Sequence, residues 1–323
     1  MLKSRTALVC LLALLIGGLT LAAQEARLSG PISGFIFDRA SRSVRPIVGL
    51  PGAAYLGDPL VAGLDWASAA PNGAAALAMR DGKWYALRGL GEAAAWAEVD
   101  GGPSAPERVA WSPDGSAAVV SAPGGGLRFL RSLLESPTAA PTVELPGSVA
   151  ALALESTGEC AVAAVRAEGQ SGVYLACPGA PARLLATMSE PAAVALARGD
   201  RDLFAADRAG GILEIQDYRE AARVMPFAEM PGAGWDPVGL AVSADQRLLW
   251  VAHRSEKRVD SFGLETRALA GQIGVPGEPT LLEPLAVRSV FLLRSAGGAG
   301  EPLLVLEAGG QPAVYFVPAG RGE

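Results

Sequence analysis

The sequence holds a single histidine, His253, and a single asparagine, Asn72. Any Ser-His-Asp arrangement would have to use His253, and a multi-histidine metal site is excluded. No Gly-x-Ser-x-Gly elbow, P-loop or dinucleotide-binding glycine fingerprint occurs, so the common hydrolase and nucleotide-enzyme signatures are missing. No run of like charges stands out, and the net charge is −6. That argues against nucleic acid as a partner, because such binders carry a basic patch. Aromatic residues make up only 6 %, and there are three cysteines. Beyond the first two dozen residues there is no long apolar run, so no membrane insertion is expected once the leader is removed.

What the chain has in abundance is small and turn-forming residues. Half of its 323 residues are hydrophobic, many of them alanine, with 40 glycines and 24 prolines beside them. Short apolar runs broken by such residues favour many short strands over long helices.

The start reads as a targeting segment. Lys3 and Arg5 precede the uncharged run Ala7–Ala23, and Gln24-Glu25 is abruptly polar. A signal peptide over residues 1–23, cut near Ala22 or Ala23, is the preferred reading. The alternative is an uncleaved N-terminal membrane anchor, although the run is at the short end of the ~17–25 residues that span a bilayer. Cys10 lies inside the apolar run after Val9, which does not suit a lipoprotein site. Losing Lys3 and Arg5 takes the charge from −6 to −8. A periplasmic or secreted location follows from the signal-peptide reading.

The sharpest text is Val109–Ala122, VAWSPDGSAAVVSA: an apolar run, the turn Ser112-Pro113-Asp114-Gly115, and a second apolar run. Degraded copies turn at Pro71-Asn72-Gly73, Ser156-Thr157-Gly158, Arg198-Gly199-Asp200 and Ser243-Ala244-Asp245-Gln246. The turns step by 42 residues from Gly73 to Gly115 and by 43 to Gly158, then by about 42 and 46. Each copy is followed by two further apolar runs. Four short strands every 40–45 residues is the period of propeller blades.

Five such units cover most of residues 61–275. A sixth can be phased from Leu285–Val287, Val290–Leu293, Leu303–Leu306 and Val314–Val317. Alternatively its outer strand comes from the N-terminal hairpin, residues 34–49, which would then close the ring. Pro46 in that hairpin cannot donate a ladder hydrogen bond, so its strand is expected at a sheet edge. Six blades are favoured, with seven left open, in a single domain over residues 24–323.

SPDG before an apolar strand resembles the turn of bacterial WD40-like and YVTN-type propeller repeats. The resemblance covers most of residues 61–275 as a pattern and only 112–115 as letters. It implies a β-propeller and names no activity. The Trp-Asp and Gly-His signatures of eukaryotic WD40 repeats are absent. Asp114 is read as a residue that caps its own turn, not as a ligand.

Cys160 and Cys177 fall in the second and third strands of the third unit. A hairpin turning around residues 168–170 sets partners summing to about 337, which places the two face to face. A disulfide is expected there, the alternative being two buried thiols. Trp235 and Asp236 lie in a glycine-rich loop before an inner strand, and His253 ends a strand; these three are the candidate binding residues. Trp111 is read as core packing. Propeller lactonases hold a channel metal with Glu, Asp and Asn; Asp65, Asp236 and Asn72 are the residues that could be set against that pattern, with Asn72 in a turn. The tryptophan docking motif of quinone-cofactor propellers is missing. No catalytic residue, metal or cofactor is assigned.

The resulting expectation is an exported, non-enzymatic all-β propeller that binds a protein or an envelope polymer. The alternatives are a channel-centred, metal-dependent hydrolase or lactonase-like enzyme, and a structural envelope component without a discrete site.

Overall fold

The computed structural model describes residues 30–91, 93–228, 234–293 and 302–318. The segment expected to be a leader, residues 1–23, lies outside the described residues. Among those residues no helix is long and apolar enough to cross a membrane.

The described residues form seven antiparallel sheets, not the favoured six. The five repeat units are blades 2 to 6. Their first strands, nearest the axis, are Trp66–Ala69, Arg108–Trp111, Ser148–Leu154, Pro191–Ala197 and Pro237–Val242. Each is followed outwards by its second, third and fourth strands in sequence order, the fourth of blade 3 being split into Thr138–Ala139 and Val143–Glu144. Blade 7 has all four strands from the C-terminal run: Glu283–Pro284, Val290–Leu293, Leu303–Glu307 and Ala313–Val317.

The extra sheet, blade 1, is the N-terminal hairpin itself, Ile32–Asp38 and Ser43–Val48, extended by Tyr55–Leu56 and Val61–Ala62. The last two pair with opposite ends of Ser43–Val48 and form one interrupted third strand. The interruption explains Pro46. Its strand lies inside the sheet, not at the expected edge, and the third strand parts opposite the missing N–H. There Gly57 N–H donates to the Pro46 carbonyl at 2.8 Å, and Arg45 Nε to the Gly57 carbonyl at 2.7 Å.

Blade 1 is also oriented differently. The start of Ile32–Asp38 meets the turn end of blade 7, where Ala286 N–H donates to Ser33 O at 3.1 Å. Past its other end, Arg42 pairs with Asp65 beside the start of the blade 2 first strand. The strand therefore runs opposite to the first strands of the other blades, in the sense of a second strand. No strand lies inside it among the described residues. Phe35 and Phe37 face this gap with Ser68–Pro71 and Glu283–Leu285, leaving a cavity of about 30 Å³.

Seven separate apolar clusters fill the seven seams between adjacent blades. Alanine is frequent in the inner strands of several blades, as in Ala75–Arg80, Ala161–Arg166 and Pro191–Ala197. Sheets that converge on an axis leave little room there, and small side chains fit the taper.

The SPDG turn is a closed hydrogen-bond circuit. Ser112 Oγ donates to Asp114 Oδ1 at 2.6 Å, and Ser116 N–H donates to the same oxygen at 3.0 Å. Gly115 takes φ +71°, which glycine adopts without strain. Burial pushes the Asp114 carboxyl up, but the bonds from Ser112 and Ser116 outweigh it and hold the group below its ordinary range. Ser243 and Asp245 repeat the circuit in blade 6, with Ser243 Oγ to Asp245 Oδ1 at 2.6 Å.

Candidate functional site

The site grows out of the repeat register. The first strand of blade 4 begins opposite the end of its second strand, pairing Ser148 with Arg166. Blades 5 and 6 do the same with Pro191 and Asp207, and with Pro237 and His253. Arg166, Asp207 and His253 are thus one position in three successive blades. All three stand at the same mouth of the channel, the end where the chain enters the first strands.

The same position carries three different chemistries. Asp207 is buried and folds back on its own loops: its carboxylate accepts Ser189, Glu190 and Ala209 N–H groups at 2.8–2.9 Å. His253 is fully buried. Its Nε2 lies 3.1 Å from Asp260 Oδ2, and Asp260 Oδ1 accepts Arg258 Nε at 2.9 Å and Gln272 Nε2 at 3.1 Å. Burial pushes the Asp260 carboxyl up, but the His253 and Arg258 side chains beside it hold it below its ordinary range. Arg166 is exposed and reaches to the next blade, donating from Nε to the Pro191 carbonyl at 3.1 Å.

Trp235, Asp236 and His253 are brought together. The Trp235 ring lies over the His253 ring with centroids 4.8 Å apart, and Trp235 Nε1 donates to the Asp207 carbonyl at 2.7 Å. Asp236 pairs with Arg208 Nε at 2.7 Å and accepts Ser255 Oγ at 3.2 Å. The Asp236 carbonyl also accepts Arg254 N–H at 3.0 Å. His253 supports this loop from below. Trp235, Asp236 and Arg208 are half-buried and meet the channel mouth.

The other singled-out residues do not converge there. Asn72 caps its own turn, accepting Ala74 N–H at 3.0 Å. Asp65 is taken by Arg42 and by Asp81 N–H. Trp111 packs at the seam between blades 2 and 3 and donates from Nε1 to Ser68 Oγ at 3.0 Å. Among the described residues no group of three or more His, Cys, Asp or Glu converges to hold a metal ion. Cys160 and Cys177 form a disulfide with Cα atoms 4.4 Å apart, just beyond the paired Ala161 and Ala176.

Arg108, Arg166, Arg208 and Arg254 are the mouth residues that reading the sequence passes over. The signal was there in part: Arg208 and Arg254 sit 46 residues apart, matching the last turn-to-turn step.

These features define a seven-bladed β-propeller with a built channel mouth. No protein-family model and no curated protein sequence matches the chain. Solved structures match it in fold. A protein from Lactobacillus plantarum is 13 % identical, with a TM-score of 0.64, over 89 % of this chain and 96 % of that one. The periplasmic gluconolactonase PpgL of Pseudomonas aeruginosa is 16 % identical, with a TM-score of 0.61, over 89 % and 98 %. The β-propeller domain of Myceliophteria thermophila Cps50 (Swd1) is 10 % identical, with a TM-score of 0.54, over 83 % and 94 %.

Proposed function

We propose that the protein is an exported binding ring that engages a protein or an envelope polymer through this channel mouth. The observation that supports the reading is the anchoring of the Trp235–Asp236 loop. The Asp207 carbonyl, the His253 ring, Arg208 and Ser255 fix it from four sides. Trp235 and Asp236, held by these contacts, are already ordered to present a tryptophan edge and a paired charge, so little entropy is lost on binding.

The test is retention of the purified protein on an isolated envelope fraction, comparing wild type with Trp235→Ala and Asp236→Ala. Retention that falls for both variants supports the mouth as the contact. Retention unchanged in both overturns it.

A lactonase-like enzyme is the second reading, favoured by the shared fold with the P. aeruginosa gluconolactonase. Proton release from glucono-1,5-lactone, followed in a pH-stat with and without divalent cations, decides it. Turnover above the buffer rate that disappears in Asp236→Ala would establish the enzyme and displace the binding role.

A further inference from the structure

We propose that the channel mouth recognises anionic groups, carboxylate or phosphate, through Arg108, Arg166 and Arg254, with Arg208 held back by Asp236. This rests on the mouth being the binding face and adds the chemistry of what it binds.

The arginines form a series across consecutive seams. Arg108 of blade 3 donates from Nε to the Val149 carbonyl of blade 4 at 3.0 Å. Arg166 of blade 4 donates from Nε to the Pro191 carbonyl of blade 5 at 3.1 Å. Arg208 of blade 5 reaches Asp236 of blade 6 at 2.7 Å. Arg254 stands in blade 6 where Arg208 stands in blade 5: both backbone N–H groups donate, at 3.0 Å, to the carbonyl of the residue before their first strand, Asp236 and Glu190. Using Nε on a backbone carbonyl fixes the guanidinium plane. Among the described residues, the terminal nitrogens of Arg108 and Arg166 make no hydrogen bond, and no carboxylate lies within ion-pair distance of Arg108, Arg166 or Arg254. Planar, pre-aimed guanidinium groups suit carboxylate and phosphate oxygens, which accept two parallel bonds.

The surroundings agree. Arg108 and Arg166 are exposed to water yet sit within protein, as channel-lining groups must. That surrounding protein, and for each the next arginine in the series, hold both guanidinium groups below their ordinary range. Glu107 and Glu283 act on Arg108, and Glu190 and Asp236 on Arg166, in the opposite sense. Like charges gathered in a net acidic chain destabilise the free protein, and a bound anion relieves that. Arg208 differs because Asp236 neutralises it, so the anion-binding set is the other three.

The shared chemistry can come from a small polyanion or from acidic groups along an envelope polymer. Titration calorimetry at low ionic strength with three probes separates them: citrate, an oligogalacturonate, and an uncharged cello-oligosaccharide. The proposal expects binding of citrate, oligogalacturonate or both, none of the neutral sugar, and weakening as salt rises. Oligogalacturonate alone assigns the polymer; citrate assigns the small anion. Arg108→Gln and Arg166→Gln should each weaken binding by about tenfold, the loss of one charge-assisted pair. Arg108→Lys and Arg166→Lys keep the charge and should keep most of the affinity, and thermal melts confirm that each variant is folded.

Binding of neither anion, or equal anion affinity in wild type and the folded Gln variants, overturns the proposal. If Trp235→Ala still abolishes envelope retention in that case, the mouth remains the binding face and only its anion chemistry fails.

Discussion

Blades 4 to 6 and the seam between blades 7 and 1 solve the same packing problem differently. In the regular arc each first strand starts at the mouth, and its register hands one position to chemistry: Arg166, Asp207, His253. At the seam, the first strand of blade 7 is two residues long, and Ile32–Asp38 runs the opposite way. Phe35, Phe37 and Leu285 pack against the apolar clusters on either side of blade 1 and line a cavity near the size of one water. The regular arc presents charge; the seam closes the ring. Repetition holds the backbone constant and so frees the side chains at the mouth to diverge.

The comparison can be broken most sharply at the seams. Leu292 is buried between blades 7 and 1, and Leu203 between blades 4 and 5. Leu→Ala at either site should cost about 3 kcal/mol by urea unfolding. Only Leu292→Ala should also speed hydrogen exchange in residues 32–62, because blade 1 has three strand positions to hold it. Equal exchange in both variants would erase the distinction.

Next in size is the Cys160–Cys177 bond of blade 4, which closes a loop with a sequence separation of 17. Replacing both cysteines with alanine should lower stability by about 3 kcal/mol or somewhat less, since the strand register already aligns the pair. An unchanged urea midpoint would show that the ladder alone sets the hairpin.

Acid should act on both regions. The carboxyls of Asp38, Asp114, Asp202 and Asp260 are all held below their ordinary range, burial being outweighed by hydrogen bonds and neighbouring cations. A depressed folded-state value means stability present in full above about pH 5 and lost as pH falls through the carboxylate range. The urea midpoint should therefore hold from pH 7 to 5 and drop towards pH 3. A midpoint that rises on acidification would contradict the sign.

The smallest effect belongs to the turns. Asp114→Ala and Asp245→Ala each remove the acceptor of a serine hydroxyl and a backbone N–H; Asp114→Ala should cost about 1 kcal/mol, and the exposed Asp245→Ala should lower the urea midpoint less. A much larger loss at Asp114 would mark the SPDG turn as more than a place of reversal.

Much of the scaffold could be read from the letters. The 42-residue step placed blades 2 to 6, and the hairpin arithmetic for Cys160 and Cys177 matches the register that pairs Ala161 with Ala176. Blade 1 was misjudged because it lacks a copy of the turn motif and has its third strand cut in two around Pro46. The site was half legible. Trp235, Asp236 and His253 stood out as rare residues in suggestive places, but only the fold shows His253 buried with Trp235 against its ring. The arginines stayed hidden because Arg108 and Arg166 occupy different strands of their blades and meet only when the seams bring successive blades into contact.

The seven apolar clusters have one more consequence. With one cluster to a seam, the molecule has no centre that every residue must satisfy. A substitution at the mouth of blade 5 leaves the clusters of distant seams untouched, so its cost stays local. Each blade can exchange its mouth residue almost independently, and new combinations around the rim are open to a chain whose walls stay the same.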